Sequence, residues 1–140
     1  MIPYKAINIS ELNAFQKDTL AEHLKMKVTE IGEDFVIMTM PVSHIVQQPL
    51  GLLHGGAVAA LAENVASLAG NLVVGDEKAC VGLSLNTNHL KSVKNGLVEA
   101  TAKPIHLGKS TQVWEVETTN DKKELINVSR ITLAVINKVK

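Results

Sequence analysis

A single acid lies in the middle of a long stretch that has no other formal charge. Between Phe35 and Gly75 the only Asp, Glu, Lys or Arg is Glu63. A stretch so poor in charge must be largely core or interface, and carboxylates are rarely buried without a partner. An ordinary exposed helix residue is the alternative to a functional one. We interpret Glu63 as a candidate catalytic acid.

An excess of lysine follows that stretch. In residues 78–110 the only acid is Glu99, against the five lysines Lys78, Lys91, Lys94, Lys103 and Lys109. The excess belongs to a wider asymmetry: residues 1–77 have nine acids and four bases, whereas residues 78–140 have five acids and ten bases. A solvated surface is one explanation, and a local patch for a small polyanion is the other.

The composition limits the class of protein. The 140 residues are 46% apolar and 20% charged, which favours one compact domain, residues 1–140. Fourteen basic residues balance fourteen acidic ones, which excludes a generally basic nucleic-acid-binding protein. The one cysteine, Cys80, cannot form an internal disulfide, and we interpret it as a small buried residue. No Cys/His spacing indicates a metal site.

The expected location is the cytoplasm, with no membrane association. The first residues lack the apolar stretch of a signal peptide. No run approaches the ~18 consecutive apolar residues that a membrane-spanning helix needs.

One strong helix is predicted, and it contains Glu63. Its apolar stripe has helical spacing up to Val74, where Gly75 ends it, and consists of Val58, Leu61, Val65, Leu68 and Leu72. The opposite face is small apart from Glu63, with Gly56, Ala59, Ala66, Ser67 and Gly70. Both faces of such a helix should be covered, so we expect a sheet on one face and another surface on the opposite face.

Strands surround this helix in the sequence. Two are predicted before it, at 25–30 and 35–42, and four after it, at 81–89, 97–103, 111–118 and 124–136. A short amphipathic segment at 10–24 precedes them, with Leu12, Phe15, Leu20 and Leu24 on its apolar side. One long helix under a long antiparallel sheet is an α+β architecture.

Several motifs resemble those of hotdog-fold acyl-CoA thioesterases. They are Gln48-Pro-Leu-Gly-Leu-Leu-His-Gly-Gly-Ala57 with Leu61-Ala-Glu63, then Val81-Gly-Leu-Ser-Leu-Asn-Thr-Asn-His89, Pro104-Ile-His-Leu-Gly108 and Gln112-Val-Trp114. The resemblance covers residues 35–137. It is closest to the PaaI-like branch that includes the Arthrobacter-type 4-hydroxybenzoyl-CoA and the 1,4-dihydroxy-2-naphthoyl-CoA thioesterases. It implies a sheet wrapped around the helix, and dimers that pair their sheets and usually associate into homotetramers.

The resemblance also implies catalytic roles. The Gly55 N–H, at the positive end of the helix, would polarise the thioester carbonyl, and Gln48 would bind near it. Glu63 of the other subunit would be the nucleophile or the general base that activates water. His54 would orient the pocket wall, or be a structural hydrogen-bonding residue. Ser67 would position the water, or simply allow close packing. The role of Gln48 could equally be filled by Gln47, which offers the same amide group.

Coenzyme A would be part of the substrate, and no cofactor is expected. The resemblance places its contacts at Gly82, in the strand end His89, Leu90, Lys91 and Ser92, and in the loop His106, Leu107, Gly108, Lys109, Ser110 and Thr111. Lysines bind phosphate as point charges, so Lys91 and Lys109 could contact the coenzyme phosphates. Lys94, Lys103 and Arg130 are either part of the patch or plain surface.

The resemblance therefore predicts a thioester hydrolase with an aromatic acyl group preferred. The acyl pocket would be apolar and involve Ile45, Val46, Leu50 and Leu53. One alternative is a hotdog dehydratase, which uses a His and an acid across the interface. The other is a non-catalytic acyl-CoA-binding sensor.

Overall fold

The computed structural model describes residues 1–139. Two helices come first, α1 (Ile9–Phe15) and α2 (Leu20–His23), followed by the hairpin of β1 (Lys27–Ile31) and β2 (Val36–Pro41). The long helix α3 spans Gly55–Val74. Four strands complete the chain: β3 (Lys78–His89), β4 (Leu97–Leu107), β5 (Thr111–Thr119) and β6 (Leu125–Asn137). Short 3₁₀ turns lie at Tyr4–Ala6 and His44–Val46.

The six strands form one antiparallel sheet in the order β1-β2-β4-β5-β6-β3. The predicted strands are all present. Strand β3 begins earlier than expected, at Lys78, and β4 ends later, at Leu107, so that His106 and Leu107 lie in a strand and not in the predicted loop. An irregularity between Gly82 and Ser84 interrupts the pairing of β3 with β6. Strand β3 is at an edge of the sheet, so one side of its backbone has no partner strand within residues 1–139.

Helix α3 lies across the sheet and contacts β2, β3, β4, β5 and β6. In its predicted stripe Val58, Leu61 and Val65 are buried, while Leu68 and Leu72 are half-buried. The largest fully buried side chain, Trp114, donates from Nε1 to Gln112 Oε1 at 2.8 Å. The predicted α+β class, with a long antiparallel sheet around one helix, is confirmed.

Helix α3 is also long and apolar enough, by length and composition alone, to cross a membrane, with a mean hydropathy of 1.5. No such segment was expected, since no run of the sequence approaches ~18 consecutive apolar residues. Packing against five strands accounts for the apolar composition of the helix.

The predicted apolar face of the segment 10–24 was wrong for Phe15 and Leu20, whereas Leu12 and Leu24 are half-buried. The chain breaks between α1 and α2, where Asp18 has a φ of 61°. Since the two helices no longer share one periodic face, Phe15 is 88% exposed and Leu20 61% exposed.

Candidate active site

The first turn of α3 has one free backbone donor. His54 is the N-cap residue, and its Nδ1 accepts from the Gly56 N–H at 2.8 Å. The N–H groups of Ala57 and Val58 donate to the His54 carbonyl oxygen. The Gly55 N–H has no acceptor within residues 1–139. His54 thus leaves a single N–H at the positive end of a 20-residue helix to bind a ligand.

This donor opens on a cleft of about 350 Å³. Six residues predicted for the site from separate parts of the sequence line it together: Gln48, Gly55, His89, Leu90, Lys91 and Ser92. The Gln48 Oε1 accepts from the Leu50 N–H. The amide NH₂ group of Gln48 has no acceptor within residues 1–139. The rival amide, of Gln47, donates to the Lys94 carbonyl oxygen at 3.1 Å. Gln48 therefore lies in the cleft with Gly55, whereas Gln47 lines another groove with His54 and Gly56.

Glu63 lies further along the same helix and outside this cleft. It is exposed, and its Oε1 would be 2.8 Å from a Cβ built on Gly82 of β3. Glycine at position 82 therefore leaves room for the carboxylate. Ser67, one turn later, is half-buried, and its carbonyl oxygen accepts from Asn71. Gly82, which was predicted as a coenzyme contact, lies beside Glu63 in this protomer.

His89 is held against the helix start by a network that the sequence analysis missed. Its Nε2 would be 2.6 Å from a Cβ built on Gly55, so the ring occupies the space that glycine leaves. The His89 Nδ1 lies 3.1 Å from the Asn127 Nδ2, and Asn127 is fully buried. The sequence does contain a sign that these polar residues are buried. Asn127 and Ser129 fall, with period two, on the same face of β6 as the buried Ile131 and Leu133.

The predicted coenzyme-binding segments lie at opposite ends of α3. Residues 89–92 line the cleft at its start, whereas Gly108 and Lys109 border a groove with Val74 and Lys78 at its end. A 20-residue helix is about 30 Å long. Within the loop, a Cβ on Gly108 would be 2.8 Å from the Thr111 carbonyl oxygen, so this turn is tight. One protomer does not bring its lysines into a single patch.

Lys91, at the mouth of the cleft, already has a carboxylate partner. Its Nζ donates to Glu124 Oε2. This hydrogen bond, followed by that from Asn120, lowers the pKa of the Glu124 carboxyl below its ordinary value. Glu124 is therefore charged at neutral pH, and any anion that binds Lys91 must compete with it.

The residues expected in the acyl pocket are separated. Leu53 lines the cleft, but Leu50 is 82% exposed, and Ile45 and Val46 line another groove with His54 and Gly56. Cys80 is buried, as expected, and burial raises the pKa of its thiol. Within residues 1–139 no three His, Cys, Asp or Glu side chains are placed to hold a metal ion.

Comparison with known proteins places the chain in a family. Residues 50–127 match the Thioesterase superfamily. The 1,4-dihydroxy-2-naphthoyl-CoA hydrolase of Escherichia coli is 40% identical over 136 residues, which are 97% of this chain and 100% of that protein. The proofreading thioesterase EntH of Cronobacter turicensis is 39% identical over 136 residues, 97% of this chain and 99% of its own.

Solved structures agree with this match. The crystal structure of a thioesterase from Haemophilus influenzae superimposes with a TM-score of 0.96 at 42% identity, covering 100% of this chain and 98% of that one. A mutant thioesterase from Pseudomonas aeruginosa gives a TM-score of 0.93 at 36% identity, covering 95% of this chain and 96% of that one. The chain therefore belongs to the thioesterase superfamily, has the hotdog fold, and is a thioester hydrolase.

Proposed function

We propose that this protein is an acyl-CoA thioesterase that releases a carboxylic acid and free coenzyme A, with an aromatic acyl group preferred. The free Gly55 N–H, which opens on a cleft shared with Gln48 and residues 89–92, carries the proposal. The aromatic preference is supported by the relative named as a 1,4-dihydroxy-2-naphthoyl-CoA hydrolase. The reaction as proposed uses no cofactor, since coenzyme A is part of the substrate.

In this proposal the thioester carbonyl oxygen accepts from the Gly55 N–H and from the Gln48 amide. Negative charge grows on that oxygen as a nucleophile adds, and a preorganised donor there contributes about 3–4 kcal/mol. Glu63 either adds to the carbonyl carbon, giving an anhydride that water hydrolyses, or takes a proton from the attacking water. In both routes the coenzyme sulfur leaves and is protonated. Ser67, one helical turn from Glu63, would hold the water.

The acid would come from a second protomer. Glu63 is eight residues after Gly55 on α3, about 12 Å along the helix axis, so the two cannot act on one carbonyl in the same chain. The unpaired edge of β3, with Val81 44% exposed and Leu83 62% exposed, offers a surface for pairing with a second copy. A dimer of this kind, doubled to a tetramer, would also bring the two coenzyme-binding segments together from different chains.

Hydrolysis of a panel of acyl-CoAs tests the proposal. The purified protein is incubated with aryl, phenylacetyl and long-chain acyl-CoAs, and free thiol is followed with a chromogenic reagent. The buried Cys80 thiol, whose pKa is raised, does not contribute to the signal of the folded protein. We expect turnover that is fastest with the aryl substrates. Binding without hydrolysis would favour the sensor, and hydrolysis of long-chain substrates alone would overturn the aromatic preference.

Lys91 and Glu124 are predicted to change KM in opposite directions. Lys91→Ala removes a charge that would bind a coenzyme phosphate, so KM is expected to rise about fivefold at low salt. Glu124→Gln frees Lys91 from its carboxylate partner and should lower KM about twofold. In both variants kcat is unchanged, and both effects fade as salt screens the charges.

The matched control for this pair is Lys27→Ala, a substitution of an exposed lysine in β1, outside the basic stretch 78–110. Steady-state kinetics at low and high salt measure all three variants. If Lys27→Ala raises KM as much as Lys91→Ala does, the effect is one of net charge, and Lys91 is not a coenzyme contact.

A further inference from the structure

A buried polar network lies beneath the start of α3. Asn127 and Ser129 of β6 are 0% and 1% exposed. They are paired with His89 and Thr87 of β3 in the sheet register. Buried polar side chains are nearly always hydrogen-bonded. Asn127 and Ser129 are bonded to each other and to the half-buried Thr87, and Asn127 also contacts His89, which is exposed.

The hydrogen bonds of Asn127 set its orientation. Its Oδ1 accepts from the Ser129 hydroxyl at 2.7 Å, while its Nδ2 donates to Thr87 Oγ1 at 2.7 Å and to His89 Nδ1 at 3.1 Å. Ser129 Oγ and Thr87 Oγ1 are 2.9 Å apart, which closes the ring of contacts. With the amide in this orientation the His89 Nδ1 would be the acceptor, which would leave the hydrogen of a neutral imidazole on Nε2.

The Nε2 atom is the part of the ring that faces the helix start. A Cβ built on Gly55 would be 2.6 Å from His89 Nε2, compared with 3.0 Å from Cε1 and 3.1 Å from Cδ2. His89 and the free Gly55 N–H line the same cleft. The network therefore puts a second N–H donor beside the first.

We propose that Asn127 is a positioning residue that fixes His89 as an Nε2–H donor to a carbonyl oxygen of the bound substrate. The inference rests on the proposed acyl-CoA hydrolysis for its substrate, but the tautomer is a property of the free protein. Thr87 and Ser129 act with Asn127, since they hold the amide with its NH₂ group toward the imidazole.

The ring nitrogens of His89 report the tautomer directly. In protein labelled with ¹⁵N-histidine, and without substrate, long-range ¹H–¹⁵N correlation should show hydrogen on Nε2 and none on Nδ1. Asn127→Asp puts a carboxylate at Nδ1, which should draw a hydrogen to that nitrogen. Hydrogen on Nδ1 in the parent protein at neutral pH would overturn the proposal, whatever the outcome with acyl-CoAs.

Kinetics then connect the tautomer to the reaction. Asn127→Leu, which keeps the side-chain volume, should lower kcat/KM about tenfold, because His89 loses its orientation. In the His89→Ala background the same substitution should change kcat/KM no further, whereas a purely structural defect would persist there. An equal loss in both backgrounds would contradict the positioning role.

Thr118→Val is the matched control. Thr118 lies opposite Asn127 on β5, is fully buried, and its hydroxyl has no partner within residues 1–139. It is outside the network, so its substitution should leave both the His89 tautomer and kcat/KM unchanged. A change in the tautomer on Thr118→Val would mean that general packing, and not Asn127, sets it.

Discussion

Glu63→Gln is expected to lower kcat by about 10³-fold, since it removes either the nucleophile or the general base. The amide matches the carboxylate in shape, and the Glu63 carboxylate has no hydrogen-bond partner within residues 1–139 of the protomer. KM and the thermal midpoint should therefore stay near the parent values. Steady-state kinetics and thermal unfolding measure both. Glu117→Gln, at an exposed position in β5, is the control and should retain full activity.

Mixed oligomers test which chain supplies the acid. Glu63→Gln and Gln48→Ala protein are each expected to be nearly inactive. If Glu63 acts across the interface, a hybrid dimer contains one site with both residues intact, so an equal mixture should recover about one quarter of parental activity. Should the mixture stay inactive although subunits exchange, the acid and the helix start act within one chain, and the proposed dimer is wrong.

The position of Glu63 shows what the sequence could establish. The stripe from Val58 to Leu72 steps by three and four, and this spacing predicts the helix and part of its buried face. Ala66 and Gly70, which were predicted on the opposite face, are buried, because small residues let the sheet approach the helix there as well. Glu63 is then singled out because it is the one charged residue on a helix that packs against five strands. Glu63 is exposed in the protomer, and its place at an interface with a second surface stays a prediction. Local periodicity is enough for these conclusions.

The surroundings of His89 show where the sequence failed. Asn127 is 38 residues away, and only the register of β3 on β6 makes the two residues neighbours. That register includes the irregularity at Gly82, which a period-two pattern does not reveal. The break at Asp18 was missed for a similar reason, since an Asp with positive φ has no periodic signal. Long-range pairing and single backbone torsions decide these features.

Gly55→Ala is the second substitution with a large expected effect. The backbone of Gly55 is not left-handed, so alanine fits the helix and should leave the free energy of unfolding unchanged or raise it. The new Cβ, however, would lie 2.6 Å from His89 Nε2, so the imidazole must move. Displacement by about 1 Å in an active site can cost 10²-fold, and we expect a loss of kcat/KM of that order. Kinetics and denaturant unfolding, measured on the same preparation, separate the two effects.

The cause of that loss is tested by removing the ring. In the His89→Ala background there is no imidazole for the alanine methyl to displace, so Gly55→Ala should cost nothing further in kcat/KM. The cycle then gives an interaction energy equal to the whole effect of the single substitution. A loss of the same size in both backgrounds would show that the methyl group blocks the substrate itself. In that case the glycine is required for access to the Gly55 N–H, and the His89 contact is incidental.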